Sequence, residues 1–129
     1  MQHQVLLDGK QCSGRGVRFR TLDPVEHEQV MITAGRAIDE NASMLELRKV
    51  EWRIGVRRML TAVTKQDGLT EASLATAEWQ PVTEQALDGS YVQLFTAKDN
   101  AVLTALYRQY HEISETELDS IAKKVLRVV

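Results

Sequence analysis

At 129 residues, with 43% hydrophobic and 26% charged residues, the chain has the size and balance of one ordinary globular domain. That balance argues against disorder and against two separate cores. Cys12 is the only cysteine, which excludes an internal disulfide and a thiolate zinc site, and the net charge of −2 lacks the basic excess of a general nucleic-acid binder.

From the amino terminus, residues 3–8 and 17–22 read as two short strands. In the second, Val17, Phe19 and Thr21 alternate with Arg18 and Arg20, as in a half-exposed strand. The stretch Asp8-Gly9-Lys10-Gln11-Cys12-Ser13-Gly14-Arg15-Gly16 between them, rich in turn formers, predicts a hairpin with Asp8-Gly9 or Gly14–Gly16 making the turn, and Ser13-Gly14-Arg15-Gly16 reads as its flexible tip.

Four helix starts follow. Asp23-Pro24-Val25-Glu26 offers an N-cap oxygen, a proline at the first helical position and an acid at N3. Its apolar stripe is read as Val25, Met31, Ile32, Gly35, Ile38 and Ala42. Ser43-Met44-Leu45-Glu46 reads as a capping box opening a helix that runs to about Lys65, with Val50, Ile54, Val56, Met59, Leu60 and Val63 as its apolar face. Thr96-Ala97-Lys98-Asp99 opens a third helix and Ser114-Glu115-Thr116-Glu117 a fourth. Each cap satisfies N–H groups that the first turn leaves without partners, for about 1 kcal/mol.

Residues 67–95 are less regular. Leu69 to Ala77 fits a short helix or a loop, Pro81 breaks any helix that holds Trp79, and Tyr91 to Phe95 fits a third strand or a hydrophobic lead-in to the next helix. The expected architecture is α+β, mostly α: one domain over 1–129, with an N-terminal β-hairpin (1–22), two helices (23–66), an irregular segment (67–95) and two more helices (96–129). The helices are expected to form a bundle of about four.

No catalytic, cofactor-binding or metal-ligating constellation emerges. His3, His27 and His111 are far apart and share no ligand spacing. His111-Glu112 is the most enzyme-like dipeptide, although a histidine in the last helical turn is favoured by the helix dipole without any chemistry. Cys12 has no neighbour that marks it as an activated nucleophile, and Ser13-Gly14-Arg15-Gly16 lacks the context of a phosphate-binding loop.

The second helix carries Arg48, Lys49, Arg53, Arg57 and Arg58. Lys49, Arg53 and Arg57 stand four apart and form one basic stripe. Two readings stay open: a solvated face partly paired with acids such as Asp39 and Glu40, or a docking face for an acidic protein or for nucleic acid. Trp52 lies off the main apolar stripe, as a lid on a neighbouring element or an interface anchor.

The amino-terminal hairpin, the run Val17-Arg18-Phe19-Arg20-Thr21-Leu22-Asp23-Pro24-Val25-Glu26 and the two helices after it resemble, in layout, the small tail assembly chaperones of long-tailed bacteriophages. Phe95-Thr96-Ala97-Lys98-Asp99, Leu106-Tyr107, His111 and Ser114-Glu115-Thr116-Glu117-Leu118 are similar to phage morphogenesis proteins. The resemblance implies a non-enzymatic protein that binds the tape-measure protein while the tail tube forms and does not remain in the particle. This chain departs from the family in ending on a capped helix with Val125, Leu126, Val128 and Val129 in place of an acidic or proline-rich tail. That departure leaves open a structural component of tail, baseplate or head retained in the virion.

The expected partners are therefore phage structural or tape-measure proteins, or a second copy of the chain, with no membrane and with nucleic acid least favoured. The contact residues expected are Lys49, Trp52, Arg53, Arg57, Val128 and Val129. The start Met1-Gln2-His3-Gln4-Val5-Leu6-Leu7-Asp8 lacks the features of a secretory signal. With the resemblance this makes the bacterial host cytoplasm the expected location, with the virion as the alternative. A small nucleic-acid-binding regulator using the second helix, and an enzyme using His111 and Glu112, complete the readings.

Overall fold

A computed structural model describes residues 2–82 and 94–112. Its elements are β1 (Gln2–Leu6), β2 (Gly16–Arg20), α1 (Pro24–Ala37), α2 (Met44–Met59), β3 (Leu60–Thr64), α3 (Glu71–Leu74), β4 (Trp79–Pro81) and α4 (Ala97–His111). The strands form one antiparallel sheet in the order β1-β2-β3-β4. The fold is α+β, and the amino-terminal hairpin is present as expected.

Alternation along β2 decides which face of the sheet is covered. Val17 and Phe19 are buried, while Arg18 and Arg20, which alternate with them, are only partly covered. Val30 of α1, Val56 and Met59 of α2, and Leu103 and Tyr107 of α4 join them in one core with Leu60 and Val63 of β3. Among the described residues the three long helices of the expected bundle thus share one core with the sheet. On the other face Leu74 of α3 and Trp79 of β4 fill the space that a side chain at Gly16 would need, and the Arg18 guanidinium lies 3.9 Å from the Trp79 ring centroid.

Helix starts fall where the caps predict. Asp23 accepts from the Glu26 N–H at 2.8 Å, and Glu26 answers the Asp23 N–H in a full capping box. Thr96 and Asp99 make the same exchange. At Ser43 only half of the box forms, the hydroxyl accepting from the Glu46 N–H at 3.2 Å.

Three readings are corrected. The second helix stops at Met59, and residues 60–64 are strand β3. A register shift between Arg18 and Phe19 explains the misreading: Arg18 pairs with Ala62 but Phe19 with Leu60, so Thr61 is the extra residue of a bulge. Leu60 and Val63, three apart as on a helix, both reach the core, at 4% and 1% exposure. The β-branched Thr61, Val63 and Thr64 suit the strand they form.

In α1 the buried side chains are Val30 and Ala34, whereas Val25, Met31 and Ile32 are exposed. The helix also ends at Ala37, because Ile38 is extended and Asp39 folds the chain through its carboxylate to the Asn41 N–H. Lastly, the segment 13–16 is no flexible tip. Gly14 adopts a left-handed φ of 79° and packs on Gly68, whose N–H donates to the Ser13 carbonyl at 2.8 Å. Of the open readings in 67–95, Glu71–Leu74 is a short helix and Trp79–Pro81 a strand. Residues 91–93 of the third-strand reading and the fourth helix opening at Ser114 lie outside the described residues.

Candidate functional site

Helices α2 and α4 run antiparallel and close together, because Gly55 leaves room for the ring of Tyr107. A Cβ at Gly55 would sit 2.2 Å from Tyr107 Cζ. Along this seam a cleft of about 320 Å³ opens, in the size range of ordinary ligand pockets. Trp52 and Val56 contribute its apolar lining, Lys49, Arg53 and Arg57 form the α2 wall, and Asn100 and Thr104 face them from α4. The structure thus brings together the four α2 contact residues expected from sequence. Val128 and Val129 lie outside the described residues.

The basic residues of α2 divide into two groups. Arg48 approaches Glu112 at 4.0 Å, and Arg58 donates to Gln29 Oε1 at 3.4 Å. Lys49, Arg53 and Arg57 have no carboxylate partner among the described residues. The pairing with Asp39 and Glu40 considered from sequence is not formed among them. Three like charges spaced one turn apart repel one another, and the described residues supply no compensating acid there.

Trp52 is a held wall. Its Nε1–H donates to Glu112 Oε1 at 2.6 Å, and the Arg108 guanidinium lies 4.4 Å from its ring centroid. Arg108 Nε in turn donates to the other oxygen of Glu112 at 3.1 Å. Glu112 is therefore engaged by the indole and by two arginines. The ring is packed against the hydrophobic core and fixed in orientation, so a ligand entering the cleft meets a preorganised apolar surface.

Behind Trp52 lies a second cavity, of about 680 Å³, where His27, Tyr107 and His111 meet Glu51 and Glu112. His111 Nε2 accepts from the Leu22 N–H at 2.8 Å, which requires its lone pair there. Its Nδ1–H then donates to the Tyr107 carbonyl at 2.8 Å. Burial, together with His27 at a ring distance of 6.0 Å, pushes the His111 pKa below its ordinary value against the opposing pull of the Tyr107 carbonyl. Both members of the His111-Glu112 pair thus tie α4 to its neighbours. Tyr107 Oη is buried without a hydrogen-bond partner among the described residues, and burial raises its pKa to about 12.

Cys12 sits near Asp99, and burial with that carboxylate raises its pKa, away from an activated thiolate. Among the described residues no three histidines, cysteines or carboxylates gather as a metal site, and no helix is long and apolar enough to cross a membrane. Asn100 and Thr104 were not singled out from sequence; their i, i+4 spacing on α4 was the available signal. No protein family, curated protein or solved structure matches the chain.

Proposed function

We propose that the protein acts by binding another protein through the α2–α4 cleft, in the role of a tail assembly chaperone during phage morphogenesis. The observation that carries the binding reading is the cleft itself: three cations without acidic partners among the described residues, beside a rigid apolar wall. Aromatic and arginine side chains grouped in one concavity are the usual anchors of protein interfaces. The assignment to phage tail assembly rests on the resemblance in layout. It names the tape-measure protein as partner, the host cytoplasm as the place of action and no catalysis.

The test is capture from a phage-producing lysate with tagged wild-type protein and with the Arg53→Glu/Arg57→Glu variant. The chaperone reading expects a tape-measure protein in the particle-free fraction, retained by wild type and lost by the variant. Stoichiometric sedimentation with tails, baseplates or heads makes the protein a virion component instead. Binding to nucleic acid that falls steeply with salt would replace both readings with that of a regulator.

A further inference from the structure

We infer that the occupant of the α2–α4 cleft is an amphipathic α-helix of the partner, carrying carboxylates at i, i+4 and i+8. This rests on the binding reading above and adds to it the conformation and spacing of the bound segment.

Three observations lead there. The first is spacing. Lys49, Arg53 and Arg57 lie on one stripe of α2, and at about 1.5 Å rise per residue successive charges stand about 6 Å apart along the axis. A second helix laid along that stripe repeats the interval with one acid per turn. Trp52 and Val56 follow Lys49 and Arg53 by three positions, so apolar residues at i+3 and i+7 of the occupant give the matching second stripe.

The second observation is what the walls cannot offer. Both are interior stretches of helices, Lys49 to Arg57 within Met44–Met59 and Asn100 to Thr104 within Ala97–His111. Their backbone N–H and C=O groups are largely spent inside their own helices. An extended peptide in the cleft would bury backbone groups with no strand edge among the described lining to pair with, whereas a helix brings its backbone bonds with it.

The third is charge. The α2 wall is cationic and its facing wall, Asn100 and Thr104, is uncharged. Acids on the occupant therefore meet no carboxylate among the described lining residues. The side chains of Asn100 and Thr104 supply hydrogen-bonding groups for the occupant's polar edge.

The experiment uses the full chain and fluorescein-labelled synthetic peptides of about 20 residues, long enough to form helix. One peptide carries Glu at i, i+4 and i+8 with Leu at i+3 and i+7. A second has the same composition with the glutamates moved to the opposite face, and a third has a central proline. Fluorescence anisotropy should show the in-register peptide binding at least about tenfold tighter than either control. Arg53→Glu/Arg57→Glu should remove that preference, and a lysine-for-glutamate peptide should restore binding to the variant.

Equal binding of all three peptides overturns the inference. So does exclusion of the in-register peptide by a second copy of the chain, by its own residues 113–129, or by an oligonucleotide of the same net charge. If the lysate capture succeeds and depends on Arg53 and Arg57 while no peptide shows the register preference, the protein-binding reading stands and the helical occupant falls. If the peptides behave as expected but no phage protein is captured, the phage assignment falls alone.

Discussion

Two polar regions of this molecule use charge in opposite ways. Where residues 13–16 meet residues 64–69 and the start of α4, every named charge is consumed by the fold. Asp99 accepts from the N–H groups of Ser13 and Thr96, both at 3.0 Å, and is fully buried. Arg15 donates to the carbonyls of Thr64 and Leu94. At the cleft, Lys49, Arg53 and Arg57 hold up nothing that the described residues show. The contrast separates charges that the fold uses from charges that the described residues leave without a carboxylate partner. A charge that is buried and satisfied can be lost only at the expense of the structure, while an unpaired cation at a surface seam costs little to remove.

The contrast breaks most visibly at Asp99. Burial pushes its carboxyl up, but the hydrogen bonds from Ser13 and Thr96 outweigh that effect and hold it below its ordinary value. Asp99→Ala leaves two part-buried N–H groups without their acceptor and should cost about 2–5 kcal/mol in urea unfolding. A loss below about 1 kcal/mol would show that the junction is not cemented by that carboxylate.

Gly55→Ala should come next. The added methyl would overlap the Tyr107 ring, so the helices that frame the cleft must separate, at about 1–3 kcal/mol. Alanine's better helix propensity offsets up to about 1 kcal/mol of that. A stabilised variant would mean that the α2–α4 seam is looser than described.

A smaller effect is expected from pH. His111 must be neutral at Nε2 to accept from Leu22, and its pKa in the folded state is lowered, so the unfolded chain binds its proton more readily. The corresponding stability is complete above the ordinary histidine value of about 6.5 and declines as pH falls below it. Thermal unfolding between pH 7 and pH 5 should show this decline, and His111→Gln should flatten it. Glu26 acts in a lower window. The hydrogen bonds from Arg20, with those of Asp23, lower its pKa to about 2 against the effect of burial. Its contribution persists above the ordinary glutamate range and is lost only as pH falls toward that value.

Local chemistry made part of this fold legible in sequence, and long-range pairing hid the rest. The caps at Asp23, Ser43 and Thr96 announce their helices because the residues that make each cap lie within four positions of chain. Strand β3 was hidden because the bulge at Thr61 gives Leu60 and Val63 a helical spacing. The junction at Gly14 was hidden because its partners, Gly68 and Leu69, are far along the chain. For the cleft, the basic wall could be read from the interval between Lys49, Arg53 and Arg57. Its opposite wall could not, since Asn100 and Thr104 become neighbours only when α4 packs against α2.

The central claim is that the fold does not use the cleft's cations. Urea unfolding of Arg53→Glu/Arg57→Glu tests it without any knowledge of the partner. The account predicts stability within about 0.5 kcal/mol of wild type, as for surface positions with no interaction to lose. A loss above about 2 kcal/mol would contradict it, by showing that these arginines are bound into the structure and are not available to another protein.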